Sequence, residues 1–304
     1  MRFYVSKCHN KLNGREFSPE LVSPDICLNP YYPVRIDGGI RPNIILDSGA
    51  FQDVATDSRL NFEEALQRQL DFEEKNLEGL EVEAIVSYDR LVDEQLDMVN
   101  GQIKKRVSHR LGKRFVEETV DAAEFLSKNR KRLGKRKLVL SCQGTTAPMY
   151  LDCVERVLSI SNPEDIIGFG GFCIVSKGGF YERQYYRIIK KAIPMIAEAG
   201  NKRVHIFGLG MFRALTQTDI YARMHGIEAS YDTSSPELNA TFGKVFNPTN
   251  PALNQVYRKS HKKRGYHPAD LAIFNIKMMR LFWEEHEEMA LPKRFSPSYK
   301  PRKG

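Results

Sequence analysis

Short apolar, β-branched runs recur along the chain, and each stops at a carboxylate, an amide or a glycine. Asn43-Ile-Ile-Leu-Asp47 is the first strong case, and it leads into Ser48-Gly49-Ala50. A continuous apolar run that ends in a small-residue turn predicts a buried strand at its exit. The figure returns at Glu83 to Asp89, at Lys137 to Gly144, at Asp165 to Phe172, at Arg203 to Gly210 and at Gly226 to Asp232. An earlier run, Arg2 to Ser6, predicts one more strand within an N-terminal lead-in over residues 1–42.

Between these runs the apolar period changes from strand-like to helical. Phe62, Ala65, Leu66 and Leu70 share one face, and Asn61 with Glu64 forms a capping-box pattern ahead of them. Helices are also predicted over Phe115–Leu126, over Tyr181–Ala199 and from Pro268 to about Glu287. In the last of these Leu271, Phe274, Met278 and Phe282 are the expected inward face. Strand followed by helix, repeated, means parallel strands joined by right-handed crossovers. The count and length favour a (β/α)8 TIM barrel of class α/β over 43–290, as a single domain, with a basic mobile tail over 291–304. A doubly wound open sheet is the runner-up, but Gly168-Phe-Gly170-Gly171 does not continue into the G-x-G-x-x-G dinucleotide fingerprint.

Composition narrows the partners. The chain has 304 residues, 46 Lys and Arg against 38 Asp and Glu, and a formal charge of +8. An excess of cations points to an acidic partner, nucleic acid first. Five cysteines scattered from Cys8 to Cys173 make no disulfide framework and are expected to be reduced core residues. No apolar run approaches the ~18 residues of a membrane span, and no signal-peptide pattern opens the chain, so a soluble, cytoplasmic protein is expected.

The chemistry is concentrated at the strand ends. In a barrel these converge on one face, which would bring Asp47, Asp89, Gln143, Gly170, Gly171, Gly208 and Asp232 into one cavity. Two carboxylates can divide into nucleophile and general acid or base. A third carboxylate and an amide can read the polar edge of a base, while glycines let a flat ring approach the backbone. Three aspartates could instead hold magnesium.

In order and spacing these residues resemble the tRNA-guanine transglycosylase superfamily, barrel enzymes that exchange a guanine in nucleic acid for a 7-deazaguanine. Asp47-Ser-Gly-Ala-Phe-Gln52 is similar to D-S-G-G-[FY]-Q, Ser87-Tyr-Asp89 falls at the base-reading aspartate, and Gln143-Gly144 matches Q-G. Gly170-Gly171-Phe172 resembles G-G-L, and Gly208-Leu-Gly210 resembles G-V-G. Gly226-Ile227, Asp232 and Pro236 follow G-[IV]-D-x-F-D-x-x-x-P, and Gly243-Lys-Val-Phe246 echoes G-Q-A-F. The resemblance spans roughly residues 43–285.

It implies that Asp232 is the nucleophile and Asp47 the general acid and base. Asp89, Gln143, Gly170, Gly171 and Gly208 would hold the purine, with Phe51 and Phe207 on its faces. No cofactor is implied. Two departures matter. No cysteine follows Cys173, and the zinc His-Asn pair of the family's final helix reads Phe274-Asn275, so the zinc-binding insertion is absent. The family's P-T-R is here Pro236-Glu237-Leu238. Both point away from tRNA toward the DNA-guanine transglycosylase branch of phage type, with DNA as partner and a free, preQ0-like 7-deazaguanine as second substrate; a phage-encoded member would act in the host cytoplasm. Exchange on tRNA, or a non-catalytic nucleic-acid-binding subunit, are the alternatives.

Three basic clusters are candidate polynucleotide contacts: Lys104 to Arg114, Lys128 to Lys137, and Arg258-Lys259 with Lys262-Lys263-Arg264. The third, interleaved with Tyr257 and Tyr266, is the strongest.

Overall fold

In a computed structural model, which describes residues 1–37, 39–92, 95–97, 102–105, 107–173, 180–247, 255–257 and 265–288, eight parallel strands close into a barrel. The strands are β1 (Arg2–Lys7), β2 (Asp25–Leu28), β3 (Asn43–Leu46), β4 (Val82–Val86), β5 (Lys137–Cys142), β6 (Ile166–Phe169), β7 (Arg203–Ile206) and β8 (Glu228–Thr233). Each pairs with its neighbour in sequence, and β8 closes onto β1 with Tyr4 opposite Asp232. The expected (β/α)8 architecture is therefore present.

The lead-in expected over 1–42 needs correction. It supplies β1 and β2, two of the eight staves, so the barrel begins at residue 2. A four-residue strand such as Asp25-Ile-Cys-Leu28 is too short to show a period of its own.

The helices packed outside are α1 (Ala50–Thr56), α2 (Phe62–Asn76), α3 (His109–Lys128), α4 (Arg130–Leu133), α5 (Ala147–Ile160), α6 (Phe180–Glu198), α7 (Phe212–Met224), α8 (Ser235–Thr241) and α9 (Pro268–Glu288). The Asn61–Glu64 capping box forms at the start of α2, with each side chain bonded to the other's backbone N–H. On α9 Leu271 of the expected inward stripe is buried, but the deepest face lies beside the other three. Ala272, Ile276, Met279 and Trp283 are fully buried, while Phe274, Met278 and Phe282 are partly buried along the margin. Trp283 Nε1 donates to the buried Tyr231 hydroxyl at 2.6 Å, which fixes this stripe against β8.

Alternation along the strands divides two layers. Phe3, Val5, Val204, Ile206 and Tyr231 face outward into the strand–helix core, whereas Tyr4, Cys27, Ile45, Ala84, Val139 and Ile166 pack inside the barrel. The amino-terminal end is closed by charge. Glu83 meets Arg2 at 3.1 Å, Arg203 at 2.8 Å and Lys137 at 3.5 Å, and it accepts from the Tyr4 hydroxyl at 2.9 Å. Burial would raise the Glu83 carboxyl, but the Arg2 and Arg203 charges hold it down at about 2. Among the described residues no helix is long and apolar enough to cross a membrane.

Candidate active site

The carboxyl ends of the strands surround a cavity of about 220 Å3. That is smaller than the ~300–1,000 Å3 of drug-sized ligand sites and suits one small ring system. Asp47, Phe51, Asp89, Gln143, Gly170, Gly171, Phe207, Gly208 and Asp232 all line it, so the strand-end residues singled out in the sequence do converge. Ser6, Cys8, Cys27, Asn29, Gln52, Ser141 and Cys173 complete much of the wall.

Each wall residue is placed by an identifiable contact. The turn after β3 needs Gly49 at φ 77°, where a β-carbon would lie 2.7 Å from Arg68 Nη2. Arg68 donates to Ser48 O at 2.5 Å and forks onto Asp53 at 2.8 and 2.9 Å, locking this turn to α2. Buried Gln69 donates to Asp47 O and to Val86 O, both at 3.0 Å, and so ties the ends of β3 and β4 together. After β5, Gln143 turns inward, and Gly144 allows Tyr150 of α5 to approach its backbone closely; a β-carbon there would lie 2.6 Å from Tyr150 N. The Tyr150 hydroxyl donates toward Cys142 O at 2.8 Å and Gly170 O at 3.1 Å, joining the ends of β5 and β6. Gly170 itself leaves room for a hydrogen-bonded pair, since a β-carbon there would collide with the Gln143 amide.

That pair is one pole of the cavity. Gln143 Nε2 donates to Asp89 Oδ2, both residues are buried, and Gln143 Oε1 has no partner. Burial raises the Asp89 carboxyl, while Gln143 and the Arg59 charge draw it back part of the way. Arg59 Nη1 and Nη2 donate to Asp89 O at 3.3 Å, and the Thr119 hydroxyl accepts from Arg90 N at 3.0 Å, so the backbone after β4 is also held. An unpartnered buried acceptor beside a carboxylate is a receptor for N–H donors.

Two carboxylates in different settings form the other pole. Asp47, walled in on most sides but open to the cavity, is pushed up to about 7 by burial and then by the charge of Asp232. The Ser48 N–H at 2.8 Å and the Asn29 amide at 3.3 Å are donors to it, and Asn29 also donates to Gln52 Oε1 at 2.5 Å. Asp232 is gripped by three groups. The Ser6 hydroxyl donates to Oδ2 at 2.7 Å, Gly208 N donates to Oδ1 at 3.2 Å, and His205 Nε2 lies 3.3 Å from Oδ1. Gly208 has φ 66°, which turns its N–H toward the carboxylate.

Ser6, Asn29 and His205 are site residues that the strand-end reading missed. Parity would have found His205, which stands one inward position before Phe207; Ser6 has no assigned residue on its own strand to point to it. Asn29 gave no such sign, since β2 was not recognised.

Cysteine usage is mixed. Cys27, Cys142 and Cys153 are buried and Cys8 is half-buried, whereas Cys173 is exposed at the cavity wall against Gly208, contrary to the expectation of a core residue. None of the five, all among the described residues, is in a disulfide.

The basic clusters divide. In the second, Arg130 pairs with buried Asp165, Arg132 with Glu63 at 2.7 Å, Arg136 with Glu73 at 2.5 Å and Lys137 with Glu83 at 3.5 Å. These side chains brace α4 and β5 to their neighbours at the amino-terminal end of the barrel, away from the cavity. Arg258, Lys259, Lys262, Lys263 and Arg264 lie outside the described residues, as do Lys293 to Gly304. Asn275 is a structural residue: its Oδ1 accepts from Phe246 N at 2.8 Å and its amide donates to Pro236 O at 3.1 Å. His267 Nε2 faces Asn13 O at 3.1 Å. Among the described residues no group of three or more His, Cys, Asp or Glu side chains is arranged to hold a metal ion.

No model of a known protein family matches the chain, and no curated protein matches it either.

Proposed function

We propose that the chain is a transglycosylase that exchanges guanine in DNA for a free 7-deazaguanine through a glycosyl–aspartate intermediate. The observation that carries this reading is the pairing, in one small cavity, of two unlike carboxylates with a third carboxylate and an unpartnered amide oxygen. Asp232 attacks C1′ as the C1′–N9 bond breaks, and Asp47 gives its proton to the departing purine. In the second half of the cycle Asp47 takes a proton from the incoming base. The base's nitrogen then bonds C1′, and Asp232 is released. A carboxyl that titrates near 7 suits both duties at neutral pH.

The receptor at Asp89 and Gln143 favours guanine over adenine. Guanine turns an imino N–H and an amino group toward these two acceptors, whereas adenine would turn a ring-nitrogen acceptor toward them. Phe51 and Phe207 supply apolar faces for a flat ring. A target base must leave a duplex stack to enter a cavity floored by the barrel interior, so the substrate is single-stranded or flipped. DNA is preferred to tRNA because the family's zinc insertion and the P-T-R arginine are both absent.

The test is release of labelled guanine from DNA and, in parallel, from tRNA, with a 7-deazaguanine supplied and EDTA present or omitted. Exchange in DNA that survives EDTA and is lost in Asp232→Ala supports the reading. Exchange in tRNA alone moves the substrate to tRNA. Activity that EDTA abolishes and magnesium restores would favour the metal-dependent alternative. A folded protein that binds either polymer but exchanges in neither would be a binding subunit.

A further inference from the structure

His205 stands directly beneath the carboxylate on which the proposed reaction depends. It is fully buried in the middle of β7, with Ser230 of β8 beside it in register. Its ring has a polar partner at each nitrogen: Asp232 Oδ1 at 3.3 Å from Nε2 and Ser230 Oγ at 3.0 Å from Nδ1. The Tyr4 ring meets it edge-on at 5.6 Å and the Phe207 ring at 4.6 Å, so it cannot swing away.

Ser230 has one hydroxyl proton and two acceptors within reach, Nδ1 and Val204 O, each at 3.0 Å. If the hydroxyl donates to Nδ1, the neutral ring carries its proton on Nε2. If it donates to Val204 O instead, Nδ1 carries the proton and donates it to Ser230 Oγ. The first arrangement aims Nε2–H at Asp232 Oδ1, 3.3 Å away.

We propose that His205 is the positioning residue of the nucleophile, holding Asp232 through Nε2–H while Ser230 holds the ring. This deepens the transglycosylase reading and rests on it. With Ser6 of β1 and Gly208 just past the end of β7 also donating, both oxygens of the carboxylate are held. The remaining lone pairs are left for the reacting carbon, already oriented.

Two measurements test this. The first needs no activity: 15N NMR of histidine-labelled protein, with the His205 signals assigned by their loss in His205→Gln. A protonated Nε2 is expected, and its proton should move in Asp232→Ala; an unprotonated Nε2 overturns the proposal. The second is kinetic. His205→Leu should lower kcat for base exchange about 10- to 100-fold, the scale of one lost charge-assisted hydrogen bond, with KM for the free base nearly unchanged. His205→Gln, whose amide reaches the place of Nε2, should recover most of that loss. If KM rises instead while kcat is kept, His205 merely shapes the pocket and the proposal fails. Should His205→Leu not fold, the glutamine variant and the ring's protonation decide. A wild-type protein inert on both polymers would refute base exchange, and the NMR result would still decide the Nε2–H contact.

Discussion

A carboxyl that titrates near neutrality in the folded chain must leave a mark on stability, whatever reaction it serves. Asp47 rises from an ordinary 3.8 to about 7, with burial the larger cause and the Asp232 charge the next. The folded protein therefore binds this proton more tightly than the unfolded chain does. Between pH 3.8 and about 7 the native state retains a proton that the unfolded state has lost, so stability falls as pH rises across that window and levels off above it. Asp47→Asn removes the titration and should escape the loss. At ~1.4 kcal/mol per pH unit, the advantage of the asparagine variant over wild type grows by up to ~2.5 kcal/mol from pH 5 to pH 8. The side chain opens on the cavity, where solvent screens its charge, so about half of that is the working expectation. Urea denaturation of both proteins at pH 5, 6, 7 and 8 reads this directly. A difference that stays flat over the range, or that turns in favour of wild type at high pH, would refute the reasoning. It would mean that Asp47 ionises like a surface carboxylate, and Asp47 would then have no proton to give a departing base near pH 7.

Other perturbations follow from single contacts. Arg130→Ala leaves the fully buried Asp165 carboxylate without its guanidinium and should cost about 3–5 kcal/mol in urea denaturation. Gly49→Ala puts a β-carbon 2.7 Å from Arg68 Nη2 at a φ of 77°; a loss of at least ~1 kcal/mol is expected, with the Arg68–Asp53 fork disturbed, and an unchanged melting temperature would contradict it. Thiol labelling at pH 7.5 followed by mass spectrometry should modify Cys173, which is exposed, well before Cys8. The Cys8 thiol is pushed up to about 12 by burial and then by the charges of Glu237, Asp47 and Asp232. Gln143→Ala removes both the partner of Asp89 and the open acceptor, so release of guanine should fall about tenfold or more while release from other purines changes less.

The strand ends were legible because a parallel strand buried on both faces is written as a β-branched run, and the residue that ends the run is the residue that reaches the site. Six of the eight strands were read as barrel strands in this way. β1 was recognised as a strand and counted toward the barrel, yet assigned to the lead-in before residue 43, since no carboxylate or glycine marks its end. β2 was not recognised, because four residues between Pro24 and Asn29 carry no periodicity. The same blindness hid Asn29, which donates to Asp47. The helices over 147–160 and 212–224 also went unread: their apolar faces touch runs that already look like strands, and Pro148 at the start of α5 reads equally as a turn. Within the basic run from Lys128 to Lys137, the ion-pair partners of Arg130, Arg132, Arg136 and Lys137 come from 35 to 69 residues away and could not be read from it.

The division between the two central carboxylates follows from where each sits on its strand. Asp47 lies one residue past the end of β3, at a turn whose Ser48 N–H is its nearest donor, so burial and its neighbour's charge dominate its titration. Asp232 is still inside β8, opposite Tyr4, with its side chain over the barrel interior. There the inward residues of the adjoining strands are in reach: Ser6 from β1, and His205 below with Gly208 just past the end of β7. A displacement of Asp232 by one residue along β8 would turn it outward into the layer of Tyr231, against α9 and away from every one of these donors. The pleat thus sets one aspartate as the held carboxylate and leaves the other, at the turn, as the group whose proton is free to move. Moving Asp232 one place, as Asp232→Thr with Thr233→Asp, should abolish base exchange even though composition is unchanged, and exchange that survives the swap would show that the register on β8 does not set the nucleophile.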